Sequence, residues 1–137
     1  MKKNGVSKRS IVASVILLAV IIFMAVSYIE LKPRGIPGEK TITVEVVHKD
    51  GTRKSFDITT MEQFLRPALD SIELIDGQDS GYGMFLTTVD GEVADSNVEE
   101  WWGTFKDGKL TSFSIDQQPI ADKEKYEIRF ITGWDNY

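Results

Sequence analysis

Apolar and polar positions divide the chain into two parts with different periods. Residues 10–29 read SIVASVILLAVIIFMAVSYI, twenty residues with no charge and no polar face. A run that is apolar all round predicts a helix surrounded by lipid rather than a half-buried surface helix. At about 1.5 Å of rise per residue it reaches roughly 30 Å, the thickness of a bilayer's hydrocarbon core. A helix is the only open structure that satisfies its own backbone there. Beyond Thr41 the period becomes two. Ile42, Val44 and Val46 alternate with Thr43, Glu45 and Val47, the signature of a half-buried strand. Asp50-Gly51 signals a hairpin turn, and Arg53 to Ile58 resumes the alternation with Phe56 and Ile58 inward.

The period then switches again. Thr60-Met61-Glu62-Gln63 reads as a capping box. Met61, Phe64, Leu65, Ala68 and Leu69 follow at helical spacing and predict a helix with one buried face. Pro67 lies inside that pattern and predicts a kink or the start of a second short turn. Residues 71–75 fit a strand or a helix end equally. Asp76 to Gly81 is loop by composition. Tyr82 to Val89 and Trp101 to Lys106 read as strands, closed by the turns Asp90-Gly91 and Asp107-Gly108. Lys109 to Ile115 reads as extended and Gln117 to Lys125 as loop. Tyr126, Ile128 and Phe130 alternate with Glu127, Arg129 and Ile131 in a final strand. Strands around one helix define an α+β class, and a small mixed sheet packed on one helix, the β-grasp arrangement, accommodates them. The chain then divides into a basic segment 1–9, a membrane-spanning signal-anchor 10–29, a linker 30–40 interrupted by Pro33 and Pro37, and one domain at 41–134. Some ninety residues hold one modest core and not two.

Charge sharpens this division. Lys2, Lys3, Lys8 and Arg9 precede the apolar run. Positive flanks stay cytoplasmic, so the expectation is a single-pass cell-membrane protein with its domain outside the cytoplasm. Tyr28 occupies the place of an interfacial aromatic anchor. Ala25-Val26-Ser27 offers small residues to a signal peptidase, which makes cleavage after Ser27 and secretion the alternative; the run's length beyond the usual h-region favours a retained anchor. Residues 1–34 carry six Lys/Arg against one acid, net +5, and residues 35–137 carry ten against twenty, net −10. A domain this acidic has no long-range attraction for nucleic acid or anionic lipid. The absence of cysteine removes disulfides, thiolate chemistry and lipid attachment through a thiol.

The polar side chains point to no catalytic set. His48 is the single histidine; it cannot form a His-rich metal site and reads as a surface residue. One histidine without a nucleophile elbow does not support serine catalysis. Asp76, Asp79, Asp90, Glu92, Asp95, Glu99 and Glu100 read as solvated charge, and Asp95 to Glu99 lacks EF-hand spacing. The aromatic residues are more telling. Trp101 and Trp102 are adjacent, so on a strand they point to opposite faces, one into the core and the other outward. Phe113 and Trp134 join them as candidates for a binding face.

The ordered series Phe85-Leu86-Thr87-Thr88-Val89-Asp90-Gly91, Glu100-Trp101-Trp102, Phe105-Lys106-Asp107-Gly108-Lys109, Ser112-Phe113-Ser114-Ile115, Pro119-Ile120-Ala121-Asp122 and Tyr126-Glu127-Ile128-Arg129-Phe130 resembles the C-terminal domain of transcobalamin and intrinsic factor and the bacterial family grouped with it. The resemblance covers roughly residues 41–134 and implies a β-grasp-like, soluble-ligand-binding domain, often secreted or membrane-tethered in bacteria. It implies cobalamin or another corrinoid as the bound molecule. The segments matching the ligand-facing parts of that family are Gly83-Met84-Phe85-Leu86 and the loop Thr111-Ser112-Phe113-Ser114-Ile115, and Trp102 from the tryptophan pair joins Ser112, Phe113 and Ser114 as a candidate ligand contact. In the cobalamin carriers this domain closes over the ligand next to a larger helical domain, so a second protein domain completing the site is an implied partner. The leading expectation is therefore a non-catalytic, membrane-tethered ligand-binding module. The alternative is a cell-surface protein-interaction module without a small-molecule ligand.

Overall fold

The computed structural model describes residues 5–135 and separates into two compact units, residues 1–32 and 33–137. The first is a single helix, α1 (Lys8–Leu31), of 24 residues. Ser7 caps it, accepting from the Ser10 N–H, and none of its residues is buried by protein. It is long and apolar enough to cross a membrane.

The second unit is built on a five-stranded mixed sheet. β1 (Lys40–Val47) and β2 (Arg53–Thr60) form an antiparallel hairpin around Asp50-Gly51. After the helix α2 (Leu65–Asp70) come β3 (Ile75–Ser80), β4 (Gly83–Val89), β5 (Glu92–Val93), a 3-10 turn at Ser96–Val98, β6 (Glu100–Lys106), β7 (Lys109–Leu110) and β8 (Lys125–Thr132). The large sheet has the order β2-β1-β8-β6-β7, with β1 parallel to β8 and the other pairs antiparallel. An antiparallel hairpin whose first strand pairs with the last strand is the β-grasp order, and the α+β class predicted from the pattern holds. A second sheet, β3-β4-β5, was not foreseen.

The alternation of β1 sets the core. Ile42, Val44 and Val46 are fully buried, and Ile58, Tyr126, Ile128, Phe130 and Trp102 continue the same face on the neighbouring strands. Leu65, Ala68 and Leu69 of α2 close over them, joined by Leu74, Ile75, Leu86 and Val89 from the small sheet and Ile115 and Ile120 from the late loop.

Several sequence expectations are corrected. The capping box does not start the helix, because β1 claims Thr60 as the partner of Lys40; the Thr60 hydroxyl accepts only from the Glu62 N–H. Met61, expected inward, is 65% exposed. α2 begins at Leu65 after Phe64, whose side chain makes no cap. Its first donors are satisfied by distant carbonyls instead: Leu65 N–H to Gln118 and Arg66 N–H to Ile115, both at 2.9 Å. Residues 76–80 form most of β3 despite their loop composition, since the apolar β4 beside them supplies the ladder. Residues 71–73 form the turn after α2. The extended segment 109–115 pairs only as far as Leu110.

Pro67 causes no kink. It is the third residue of α2, where a backbone N–H has no partner within the helix and its loss removes nothing. Pro67→Ala is therefore expected to change the unfolding free energy by less than about 1 kcal/mol, measured by urea denaturation. A loss near the 3 kcal/mol scale of an interior helix defect would contradict this placement.

Candidate ligand groove

β4 runs beside β6, and the segment that follows β7 crosses near both. Together they line an open groove of about 340 Å³: residues 84–86 on one wall, 101–104 on the other, and 110–115 along the rim. Of the sequence-derived site residues, Met84, Phe85, Leu86, Trp102, Ser112, Phe113 and Ser114 all line it. Gly83 adjoins it: a Cβ built there would lie 2.7 Å from Ser114 Oγ, and its φ of +111° disfavours any other residue. Trp134 does not line the groove; it stacks on Trp101, which does, with ring centroids 6.4 Å apart. The Trp101 Nε1–H donates to the Gly133 carbonyl.

The lining is mostly apolar, with the hydroxyls of Thr104, Thr111, Ser112 and Ser114 set among it. Phe85 is 46% exposed and Phe113 37% exposed, whereas Leu86 and Trp102 are buried. Trp102 is the core member of the tryptophan pair, held edge-on by Phe130 at 5.1 Å and by His48 at 6.1 Å. Two buried polar atoms among the described residues have no hydrogen-bond partner: Trp102 Nε1 and Ser114 Oγ. Both belong to residues that line the groove. A buried donor left unpaired costs about 1–3 kcal/mol, so a ligand that supplies an acceptor recovers that cost.

A carboxylate latch fixes the rim. Asp116 Oδ2 accepts from the Met84 N–H at 2.6 Å, and Asp116 Oδ1 accepts from Arg66 Nη1 at 2.5 Å. The same guanidinium nitrogen donates to Asp79 on β3 at 2.7 Å. One arginine on α2 thus ties the small sheet and the loop into a single wall. Thr111 adds a bond from its N–H to the Thr104 carbonyl at 2.9 Å, joining the loop to β6. Sequence reasoning missed this latch, because Arg66 and Asp116 are 50 residues apart and carry no local motif.

Two further hollows differ in character. One of about 370 Å³ lies on the outer face of the large sheet by Thr43, Glu45 and Phe105, and two of its carboxylates are engaged: Glu45 with Arg53, and Glu127 with Arg53 and Arg129. Another of about 550 Å³ adjoins the groove through Leu110 to Phe113 and is otherwise bordered by Lys106, Asp107, Lys109 and Gln118.

His48 is half-buried and engaged rather than free at the surface. Nε2 lies 3.0 Å from Asp90 and Nδ1 lies 3.1 Å from Glu92. Among the described residues no three His, Cys, Asp or Glu side chains are grouped to hold a metal ion.

Comparison with known proteins finds solved structures of similar architecture. The chain matches a solved structure described as a "putative metal binding protein" from Ruminococcus gnavus ATCC 29149, at 40% identity and a TM-score of 0.69, over 70% of this chain and 100% of that one. The chain belongs to the same family as that protein. Haptocorrin, solved in complex with Cbi, matches at 14% identity and a TM-score of 0.61, over 72% of this chain and 26% of that one. This second likeness is one of fold. No protein-family model and no curated protein matches the chain.

Two pH-dependent outcomes follow. Burial opposes ionisation of Asp116, yet the Arg66 and Met84 hydrogen bonds outweigh it and hold the carboxyl below its ordinary value. Its contribution is complete above the ordinary carboxylate pKa of about 4 and is lost as pH falls through the depressed value. Asp116→Asn is expected to cost about 1–3 kcal/mol at pH 7, in denaturant titration, with the gap to the parent narrowing below about pH 4. For His48, burial pushes the pKa down, but hydrogen bonds to Asp90 and Glu92 prevail and raise it. Its stabilisation is complete below the ordinary imidazole pKa of about 6.5 and is lost as pH rises through the raised value. The melting-temperature gap between the parent and His48→Gln should be wider at pH 5.5 than at pH 8.5; equal gaps would refute the imidazolium assignment.

Proposed function

We propose that this chain is a membrane-tethered, non-catalytic ligand-binding module, and that the groove between β4 and β6 takes a flat small molecule with apolar faces and hydrogen-bond acceptors at its edge. The observation that carries this reading is the pairing of two half-exposed phenylalanines with two unpartnered buried polar atoms in residues lining one groove. Exposed aromatic faces stack on a planar ligand, and an amide or carbonyl oxygen would answer the Trp102 indole N–H. Cobalamin or another corrinoid has this chemistry, a broad ring system edged with amides. The fold shared with haptocorrin, solved with Cbi bound, supports that class. A second protein domain closing over the open side of the groove fits the same scheme.

The description attached to the Ruminococcus gnavus relative does not extend to this groove. Its lining holds no carboxylate, imidazole or thiol, and His48 has both ring nitrogens committed to carboxylates. Tethering rests on α1. The basic residues before α1 support an extracytoplasmic domain, with cleavage after Ser27 as the soluble alternative. A second reading, a protein-interaction module, is favoured by Tyr82, which stands 96% exposed at the tip of the β3–β4 hairpin next to the groove.

Isothermal titration of cobinamide and cobalamin into the detergent-solubilised chain separates the two readings. Measurable heat is expected, weakened at least about tenfold by Phe113→Ala, which removes roughly one aromatic stacking contact and its buried area. The variant's melting temperature should stay within a few degrees of the parent's. No heat at ligand concentrations near 1 mM, where even a weak site of about −4 kcal/mol responds, would rule out the corrinoid reading.

A further inference from the structure

We infer that the outer edge of β2 is a self-association surface, pairing antiparallel with β2 of a second copy of the chain about a two-fold axis at Ser55. β2 ends the five-stranded sheet, and among the described residues no strand pairs with its outer edge. It is eight residues long and keeps an unbroken register with β1 from Arg53 to Thr60. It carries neither the proline nor the bulge that commonly blunts an exposed edge. The hairpin shows which backbone groups are free. The His48 N–H donates to the Thr52 carbonyl at 2.9 Å. Thr52, Lys54, Phe56 and Ile58 therefore turn their backbone groups toward β1, and Arg53, Ser55 and Asp57 turn theirs outward. These three outward residues are exposed.

Charge selects the register. A two-fold pairing centred on an outward residue exchanges hydrogen bonds at that residue and at positions two before and two after it. Centred on Arg53, it sets guanidinium against guanidinium; centred on Asp57, carboxylate against carboxylate. Like charges directly opposite are destabilising. Centred on Thr59, it runs past the end of the strand; an axis at Lys54 sets ammonium against ammonium, and one at Phe56 leaves Arg53 opposite Thr59 with no ion pair. Centred on Ser55, it places each Arg53 opposite Asp57 of the other copy, on the same face of the joined sheet. Each Lys54 then faces Phe56 of the other copy on the opposite face, where Lys54 Nζ already lies 5.1 Å from the ring of its own Phe56. Both charged groups are oriented beforehand. Arg53 is paired with Glu45 of its own chain, and Asp57 accepts from the Thr43 hydroxyl at 2.7 Å. The surface is independent of the groove, because β1 and β8 separate β2 from β6.

The absence of cysteine makes the test direct. Opposed residues of a hydrogen-bonded antiparallel pair have Cα atoms about 5.5 Å apart, within the roughly 4.4–6.8 Å that a disulfide spans. Single variants Arg53→Cys, Ser55→Cys, Asp57→Cys and Thr59→Cys are placed in the full chain, reconstituted in phospholipid vesicles and treated with mild oxidant. Ser55→Cys is expected to cross-link fastest. In sedimentation of the detergent-solubilised chain, Arg53→Glu should weaken dimerisation about tenfold or more, and Arg53→Glu combined with Asp57→Arg should restore it, with melting curves confirming that each variant folds. A parent chain that stays monomeric at about 100 µM, where a contact of about −5.5 kcal/mol would be half formed, overturns the proposal. So does fastest cross-linking at 53, 57 or 59.

Discussion

The parallel pairing of β1 with β8 is the constraint on which the rest of the structure depends. It joins residues near position 45 to residues near position 127 and turns a local hairpin into the centre of a five-stranded sheet. β1 buries Ile42, Val44 and Val46 completely because it has a strand on each side and α2 above it. β8 in turn carries β6 in a seven-residue antiparallel register. That register sets Trp102 opposite Phe130 and leaves the other edge of β6 to pair with β7, with β4 packed nearby. Without the β1–β8 pair there is a hairpin, a six-residue helix and a small sheet, none of which buries enough apolar surface to stand alone.

α2 transmits this constraint to the groove. A helix of six residues has almost no internal hydrogen-bond cooperativity, so it persists through what holds its ends and its face. Its N-terminus is closed by the carbonyls of Ile115 and Gln118 rather than by its own flanking side chains. Its Arg66 reaches both Asp79 and Asp116. The same short helix therefore supports the core through Leu65, Ala68 and Leu69 and positions the loop that carries Phe113 and Ser114. Core and groove share parts, and a groove held this way is organised before any ligand arrives.

How much of this was legible in the residues depended on range. Strands with clear alternation, such as 42–47 and 126–131, appeared where the pattern put them, because burial on one face is encoded every second residue. The turns at Asp50-Gly51, Asp90-Gly91 and Asp107-Gly108 were equally readable. The residues singled out by family resemblance come together along one groove. What failed was local signal overruled by distant partners. Thr60 had the chemistry of a helix cap, and the β1 ladder took it. Residues 76–80 had loop composition, and β4 recruited them. His48 looked like surface until Asp90 and Glu92 enclosed it. Pro67 looked disruptive only because the helix was expected to begin earlier.

The family relationship to the Ruminococcus gnavus protein fixes the architecture and leaves the ligand to chemistry. That chemistry centres on the indole N–H of Trp102, buried without an acceptor in a residue that lines the same groove as the exposed rings of Phe85 and Phe113. Nitrogen-15 correlation spectra of the detergent-solubilised chain resolve the three tryptophan indole N–H signals separately. On titration with cobinamide, the Trp102 signal is predicted to move downfield as it gains an acceptor, while that of Trp134, which does not line the groove, stays in place. Movement of Trp134 with Trp102 unchanged would contradict the account at its centre.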